Sequence, residues 1–192
     1  MGQKPRSPVA ANGEDALPPQ SIEAEQCCLG AMMVEESALL TGLELLVAED
    51  FYRSAHQVIF TACQELSEEV QGADLVSVCE RLRSKGELDN CGGPAYVNSL
   101  IAAVPSAANI KTYARVVREK SLRRKLQVAG WEIARRATEE SGKAEGVLQG
   151  AFSLLQEMEE RTVTDFKPLA EALNEQWTRL TDIRNGSQEI LG

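Results

Sequence analysis

This sequence predicts an all-α fold, and three observations carry that expectation. Aromatic residues are only 5% of the chain, while alanine, leucine, glutamate and arginine are plentiful, a balance that favours helix over sheet. Apolar residues recur at steps of three and four, the repeat of one helix face. Glycines, prolines and capping residues stand between those stretches, where helices must start and stop. With 192 residues, 43% hydrophobic and 26% charged, the chain suits one or two globular units. A core unit of roughly 145 residues would bury about 68% of its unfolded surface, enough to fold alone.

Residues 1–16 carry Lys4, Arg6 and two prolines but no apolar run. They are expected to form a disordered tail that is neither a signal peptide nor a membrane anchor. Pro18-Pro19 blocks any helix upstream. Ser21 suits the cap of a first helix, and Glu23 and Glu25 suit the positive end of its dipole. Ile22, Gln26, Leu29 and Met33 mark one face of it. A short helix is expected from about Glu35 to Leu40. Asp50-Phe51-Tyr52 reads as a loop with two large apolar anchors. Ser54 can cap a helix whose apolar face is Val58, Ile59, Ala62, Cys63 and Leu66, and Gly72 breaks that pattern. Asp74 caps a helix carrying Leu75, Val78, Cys79 and Leu82, which stops at Gly86. Gly92-Gly93 turns the chain, and Pro94 fits the first turn of a helix ending near Val104.

Pro105-Ser106 makes another turn, and a long helix is expected from about Ala108 to Ala137. Its apolar positions Leu122, Leu126, Ala129 and Ile133 step by four, three and four. A helix from about Ala144 to Arg161 steps the same way through Val147, Ala151, Leu154 and Met158, after a short loop with Gly142. Matching stripes joined by a tight connection predict an antiparallel αα-hairpin with these eight residues at its seam. Gly130, Gly146 and Gly150 permit close approach of the two helices. Trp131 faces away from the seam and marks a second buried surface, either core or interface. Beyond a break at 162–167, a separate helix is expected from about Pro168 to Arg184. Its narrow stripe of Leu169, Leu173, Trp177, Leu180 and Ile183 needs a partner, because a lone helix of that length is marginal in water.

The net charge is −9, which argues against non-specific DNA binding by the whole surface. The charge is segregated: Lys111 to Arg136 holds nine basic and two acidic residues, leaving 11 basic and 27 acidic elsewhere. Within it, Lys111, Arg115, Arg118, Arg123 and Arg124 are candidates for contact with a phosphate or an acidic partner. Pairing with the surrounding acidic helices is the plainer alternative. No aromatic residues are interleaved for base stacking. Five cysteines, an odd number without a Cys-x-x-Cys, point to a reducing compartment and so to the cytoplasm. Cys27 and Cys28 diverge by about 100° on a helix and cannot readily share a metal, so structural roles are expected. No stretch reaches the roughly 18 apolar residues of a membrane span.

No enzyme chemistry is legible. The one Gly-Lys, Gly142-Lys143, has Ala137 where a phosphate loop needs its first glycine and Ala144 where it needs a hydroxyl. His56 is the one histidine, and catalysis would need a positioned partner that the sequence does not suggest. Glu139-Glu140 and Glu159-Glu160 read as solvated helix-end charges. No metal ligand set and no cofactor site are expected, and function should lie in surfaces that bind other chains.

Long, ordered motifs do resemble a known family. They are Pro18-Pro19-Gln20-Ser21-Ile22-Glu23-Ala24-Glu25-Gln26 with Leu29-Gly30, and Asp50-Phe51-Tyr52-Arg53 with His56 and Ile59-Phe60. They continue with Gly86-Glu87-Leu88 before Gly92-Gly93, Ala95-Tyr96, Pro105 to Ile110, and Tyr113-Ala114 through Arg118-Glu119-Lys120 to Arg124. Over about Leu17 to Gly192 the chain resembles the N-terminal domain and linker helix of the bacterial replicative DNA helicase, the DnaB family. Cys28 and Cys91 stand where aliphatic residues are usual, and Met32-Met33 replace a leucine pair. The resemblance implies a small helical bundle (17–107), a protruding hairpin (108–161) and a linker (162–192) with a docking helix at 168–184. In the family, hairpins pair between subunits and three such dimers form a collar on a hexameric ring. That collar guides single-stranded DNA and binds primase, and a helicase loader is a further partner. The linker stripe docks on a neighbouring subunit's motor domain, which holds ATP and magnesium and is absent from this chain. The chain is then either part of a longer protein or a stand-alone homologue. Two other readings remain: a free-standing regulator that binds the helicase, and a nucleic-acid-binding module using the basic helix.

Overall fold

The computed structural model describes residues 17–69, 72–139 and 144–163, with the last seven described by backbone alone. The expected linker helix, with Leu169, Leu173, Trp177, Leu180 and Ile183, lies outside these residues, as do the N-terminal tail and the Gly142 loop. The helices are α1 (Ile22–Val34), α2 (Glu36–Leu45), α3 (Ser54–Glu68), α4 (Leu75–Ser84), α5 (Gly93–Ala102), α6 (Ile110–Thr138) and α7 (Ala144–Val163). Single 3₁₀ turns, Ala48–Asp50 and Ala107–Asn109, precede α3 and α6. The described residues contain no strand, so the fold is all-α as the sequence predicts. Two compact units divide between Arg124 and Lys125, inside α6.

The first unit is built around α1, against which α2, α3 and α5 pack. Its second half is buried on every side, from Cys28 through Met33, rather than along one stripe. A helix enclosed by three others needs no polar face. The crossing with α5 is close. A Cβ on Gly30 would stand 2.1 Å from the Leu100 carbonyl oxygen, so only glycine fits there. Helix α2 runs to Leu45, past the expected end at Leu40, because Ala38, Leu39 and Gly42 continue a buried face.

Helix α3 buries Ile59, Phe60, Ala62, Cys63 and Leu66. Ser54 is its first helical residue, and Arg53 holds the cap position. Helix α4 buries Val78, Cys79 and Leu82. At its start the Asp74 carboxylate accepts the Ser77 amide at 2.8 Å, the cap that the sequence predicts. At its end Gly86 adopts φ +71°, while Glu87 N–H reaches the Leu82 carbonyl and Gly86 N–H that of Arg83. This is the paired-bond stop that favours glycine. Arg81 joins Glu65 and Glu69 across α3 and α4, and Lys85 also pairs with Glu65.

The first half of α6 belongs with this unit rather than with the hairpin. Ile110, Ala114, Val117 and Ser121 are buried, again at steps of four, three and four. Ser121 donates to the Asp50 carboxylate at 2.7 Å, and Asp50 also accepts the Val47 amide. Of the two apolar anchors expected in this loop, Phe51 is buried and Tyr52 lies at the surface, while the polar Asp50 is buried in its place.

In the second unit Ala129 is buried, Ile133, Val147, Ala151 and Leu154 are half-buried, and Leu126 is exposed. Gly150 faces the Arg136 guanidinium, whereas Gly130 and Gly146 have no neighbour within 4 Å and mark no close approach inside this unit. Glu132 pairs with both Arg135 and Arg136.

Hydrogen bonds from Lys85 and Arg81 hold the Glu65 carboxyl below the ordinary carboxylate range, and the Ser77 amide does the same for Asp74. Both folded-state values are depressed. Their stabilisation is therefore present above the ordinary carboxylate range and lost as pH falls below it toward the depressed folded values. Urea midpoints should drop on acidification from about pH 5 to about pH 3, and the double variant Glu65→Gln, Asp74→Asn should flatten that drop. An unchanged acid profile in the double variant would contradict this assignment.

Candidate interaction surfaces

A buried polar centre joins three helices of the first unit. Glu25, which the sequence places at the positive end of the α1 dipole, is 1% exposed and points inward. Its carboxylate accepts the Tyr52 amide at 2.7 Å and meets His56 Nδ1 at 2.6 Å. His56 Nε2 lies 2.7 Å from the Tyr96 hydroxyl, which also accepts from Arg53 at 3.2 Å. Every group is satisfied if Nδ1 donates to Glu25 and Nε2 accepts from Tyr96. No partner for His56 is evident in the sequence; the fold supplies two, from α1 and α5. At 0% exposure for His56 the centre offers nothing for a substrate to touch. It is a structural clamp, and Glu25 also sits before α3, where the helix dipole favours a negative charge.

The basic residues divide. Lys111, Arg115 and Arg123 are exposed on α6, and Arg123 pairs with Glu119. Arg118 is half-buried. Arg124 donates to the Pro19 carbonyl at 2.9 Å and the Asp50 carbonyl at 2.6 Å, with its guanidinium over the Tyr52 ring. It fastens the segment before α1 and the 3₁₀ turn to α6, so two of its donors are committed within the fold.

The cysteines act as small apolar residues. Burial pushes the Cys28 and Cys63 thiols up to about 12, and Cys27, half-buried, donates to the Ala103 carbonyl. Among the described residues no cluster of His, Cys, Asp or Glu could hold a metal ion. No described helix is long and apolar enough to cross a membrane.

Among the described residues, the exposed large apolar side chains divide evenly between the two units, and those of the second unit all lie on α6 and α7. Of the eight expected seam residues, Ala129 is buried, Leu122, Ile133, Val147, Ala151 and Leu154 are half-buried and Leu126 is exposed. The Met158 side chain lies outside the described residues. A second stripe on α7 was missed: Leu148, Phe152 and Leu155 step by four and three, and Phe152 is 61% exposed. The signal was available, since each follows a seam position by one residue. On α6, Val128 and Trp131 are exposed, Trp131 at 59%. Trp131 stands about 200° around the helix from Ala129 and Ile133, which places it opposite the seam.

The fold and these surfaces define an all-α chain that presents apolar helix faces. The profile of the DnaB-like helicase N terminal domain matches residues 17–119, and the chain belongs to that family, the N-terminal domain of a replicative helicase. It is 36% identical over 179 residues to the replicative DNA helicase DnaB of Geobacillus stearothermophilus, covering 93% of this chain and 39% of that protein. It is 40% identical over 160 residues to the DnaB of Rhodothermus marinus, covering 82% of this chain and 16% of that one. The chain thus spans well under half the length of these relatives. Among solved structures, it resembles the N-terminal domain of DnaB helicase from Mycobacterium tuberculosis with a TM-score of 0.70 and 38% identity, over 73% of this chain and 99% of that one. It also resembles a DnaB-like replicative helicase described with its interactions with primase, at TM-score 0.60 and 26% identity, over 81% of this chain and 34% of that one.

Removing the Tyr96 hydroxyl tests the clamp. Tyr96→Phe leaves His56 Nε2 buried without a partner and should cost about 1–3 kcal/mol in urea unfolding. A variant as stable as the parent would show that the His56–Tyr96 contact contributes nothing.

Proposed function

We propose that this chain is the assembly portion of a replicative helicase, which joins subunits through its α6–α7 hairpin and receives primase. One observation carries the reading. In a chain of this family, the two helices of the second unit expose Leu148, Phe152 and Leu155 on one side and Val128 and Trp131 on another. Apolar side chains aligned along a helix mark an interaction site rather than ordinary surface. Pairing between copies would cover both faces, and repetition of such pairs builds the collar of a ring. The solved relative described with primase supports primase as the outside partner. In this reading a loader and single-stranded DNA are partners of the assembled helicase, and ATP and magnesium belong to its motor portion.

Phe152→Asp is the direct test. Phe152 is exposed, so the change should leave the thermal midpoint of a dilute sample unmoved. In a paired hairpin it would bury an unpaired charge at a cost of several kcal/mol, weakening association about 100-fold or more by light scattering. Equal association by variant and parent would remove the hairpin faces from the assembly.

A further inference from the structure

A different surface lies on the first unit. The end of α1, the start of α2, Ser67 near the end of α3 and the segment leading into α4 enclose a groove of about 420 Å³. Its floor is apolar: Met32, Met33, Leu39 and Ala73 are all buried. Its lips are apolar and wet, with Val34 at 55% and Leu40 at 57% exposure. Glu35, Glu36 and Asp74 stand around it, and no lysine or arginine lines it. The outer face of α2 extends the pattern, because Glu36, Leu40 and Glu44 are all exposed and spaced by four.

We propose that this groove docks a cationic amphipathic helix from a partner protein. The exposed leucine and valine continue into a concavity, which distinguishes them from scattered surface residues. Two methionines in the floor give it side chains that reshape around an incoming ridge. The walls are helical, so the ridge of a further helix seats between them. Charge fixes the occupant: acidic groups on both rims, in a chain of net charge −9, favour lysines and arginines flanking an apolar stripe. The recognition is of the helix-in-groove kind, with apolar anchors at helical spacing.

The four methionines of the chain provide the readout: Met32 and Met33 line the groove, while Met1 and the Met158 side chain are outside the described residues and serve as references. The full chain, labelled with ¹³C at its methionine methyls, is titrated with an amphipathic leucine–lysine peptide of about 18 residues, long enough to form several turns. The Met32 and Met33 signals should move while Met1 and Met158 stay, and affinity should fall as salt rises. Leu40→Ser, and separately Glu36→Gln with Glu44→Gln, should each weaken binding about tenfold or more, a scale typical of anchor residues. Glu80→Gln, on the exposed side of α4, should change nothing. The proposal is overturned if all four methionine signals move alike or none moves, if Leu40→Ser binds as tightly, or if a leucine–glutamate peptide binds equally well. It is also overturned if Met32 and Met33 move with protein concentration alone, which makes a second copy the occupant. A shift on deleting residues 1–16 would overturn it too, by making that segment the occupant.

Discussion

Two packed helices share a single line of contact, and only side chains near that line can leave water. The second unit carries apolar side chains along more lines than one. Ala129, Ile133, Val147, Ala151 and Leu154 take the covered or half-covered positions, while Phe152 and Trp131 remain largely exposed. Each large apolar side chain moved out of water contributes about 1.5–3 kcal/mol. The pairing proposed above would take these side chains out of water, and that gain would have to outweigh the entropy lost on association.

The first unit solves the opposite problem. Its helices surround α1 so completely that polar groups have to be buried with it, and an inward carboxylate without partners would cost several kcal/mol. Glu25 escapes that cost through the Tyr52 amide and His56, and His56 in turn through Tyr96. Asp50 is kept by Ser121 and Val47 in the same way. These polar contacts tie α3, α5 and α6 into the unit, whose apolar groove lies beside α2.

The fold class and the order of helices were legible because capping and breaking signals are local. Asp74, Gly86 and Pro94 each act within a few residues of themselves, and each acts as the sequence predicts. The partners of Glu25 and His56 were not legible, since they lie 31 residues apart and only the tertiary fold brings them together. Periodicity put Leu126 on the seam stripe but could not fix its exposure, which depends on what packs against it. It showed the stripe on α7 that holds Val147 and passed over the neighbouring one that holds Phe152, although both repeat with the same step. The fate of Arg124 was hidden for another reason: guanidinium donors serve backbone carbonyls as readily as phosphates, and residue type does not choose between them.

The central claim is that Trp131 and its neighbours are covered by another copy of the chain. Replacing Trp177 with phenylalanine leaves Trp131 as the single tryptophan of the two in the chain, and its emission can be followed against protein concentration. The account predicts a shift to shorter wavelength and loss of access to a soluble quencher as copies associate. Emission of a water-exposed indole, equally quenchable at every concentration over which the molecular mass rises, would contradict it.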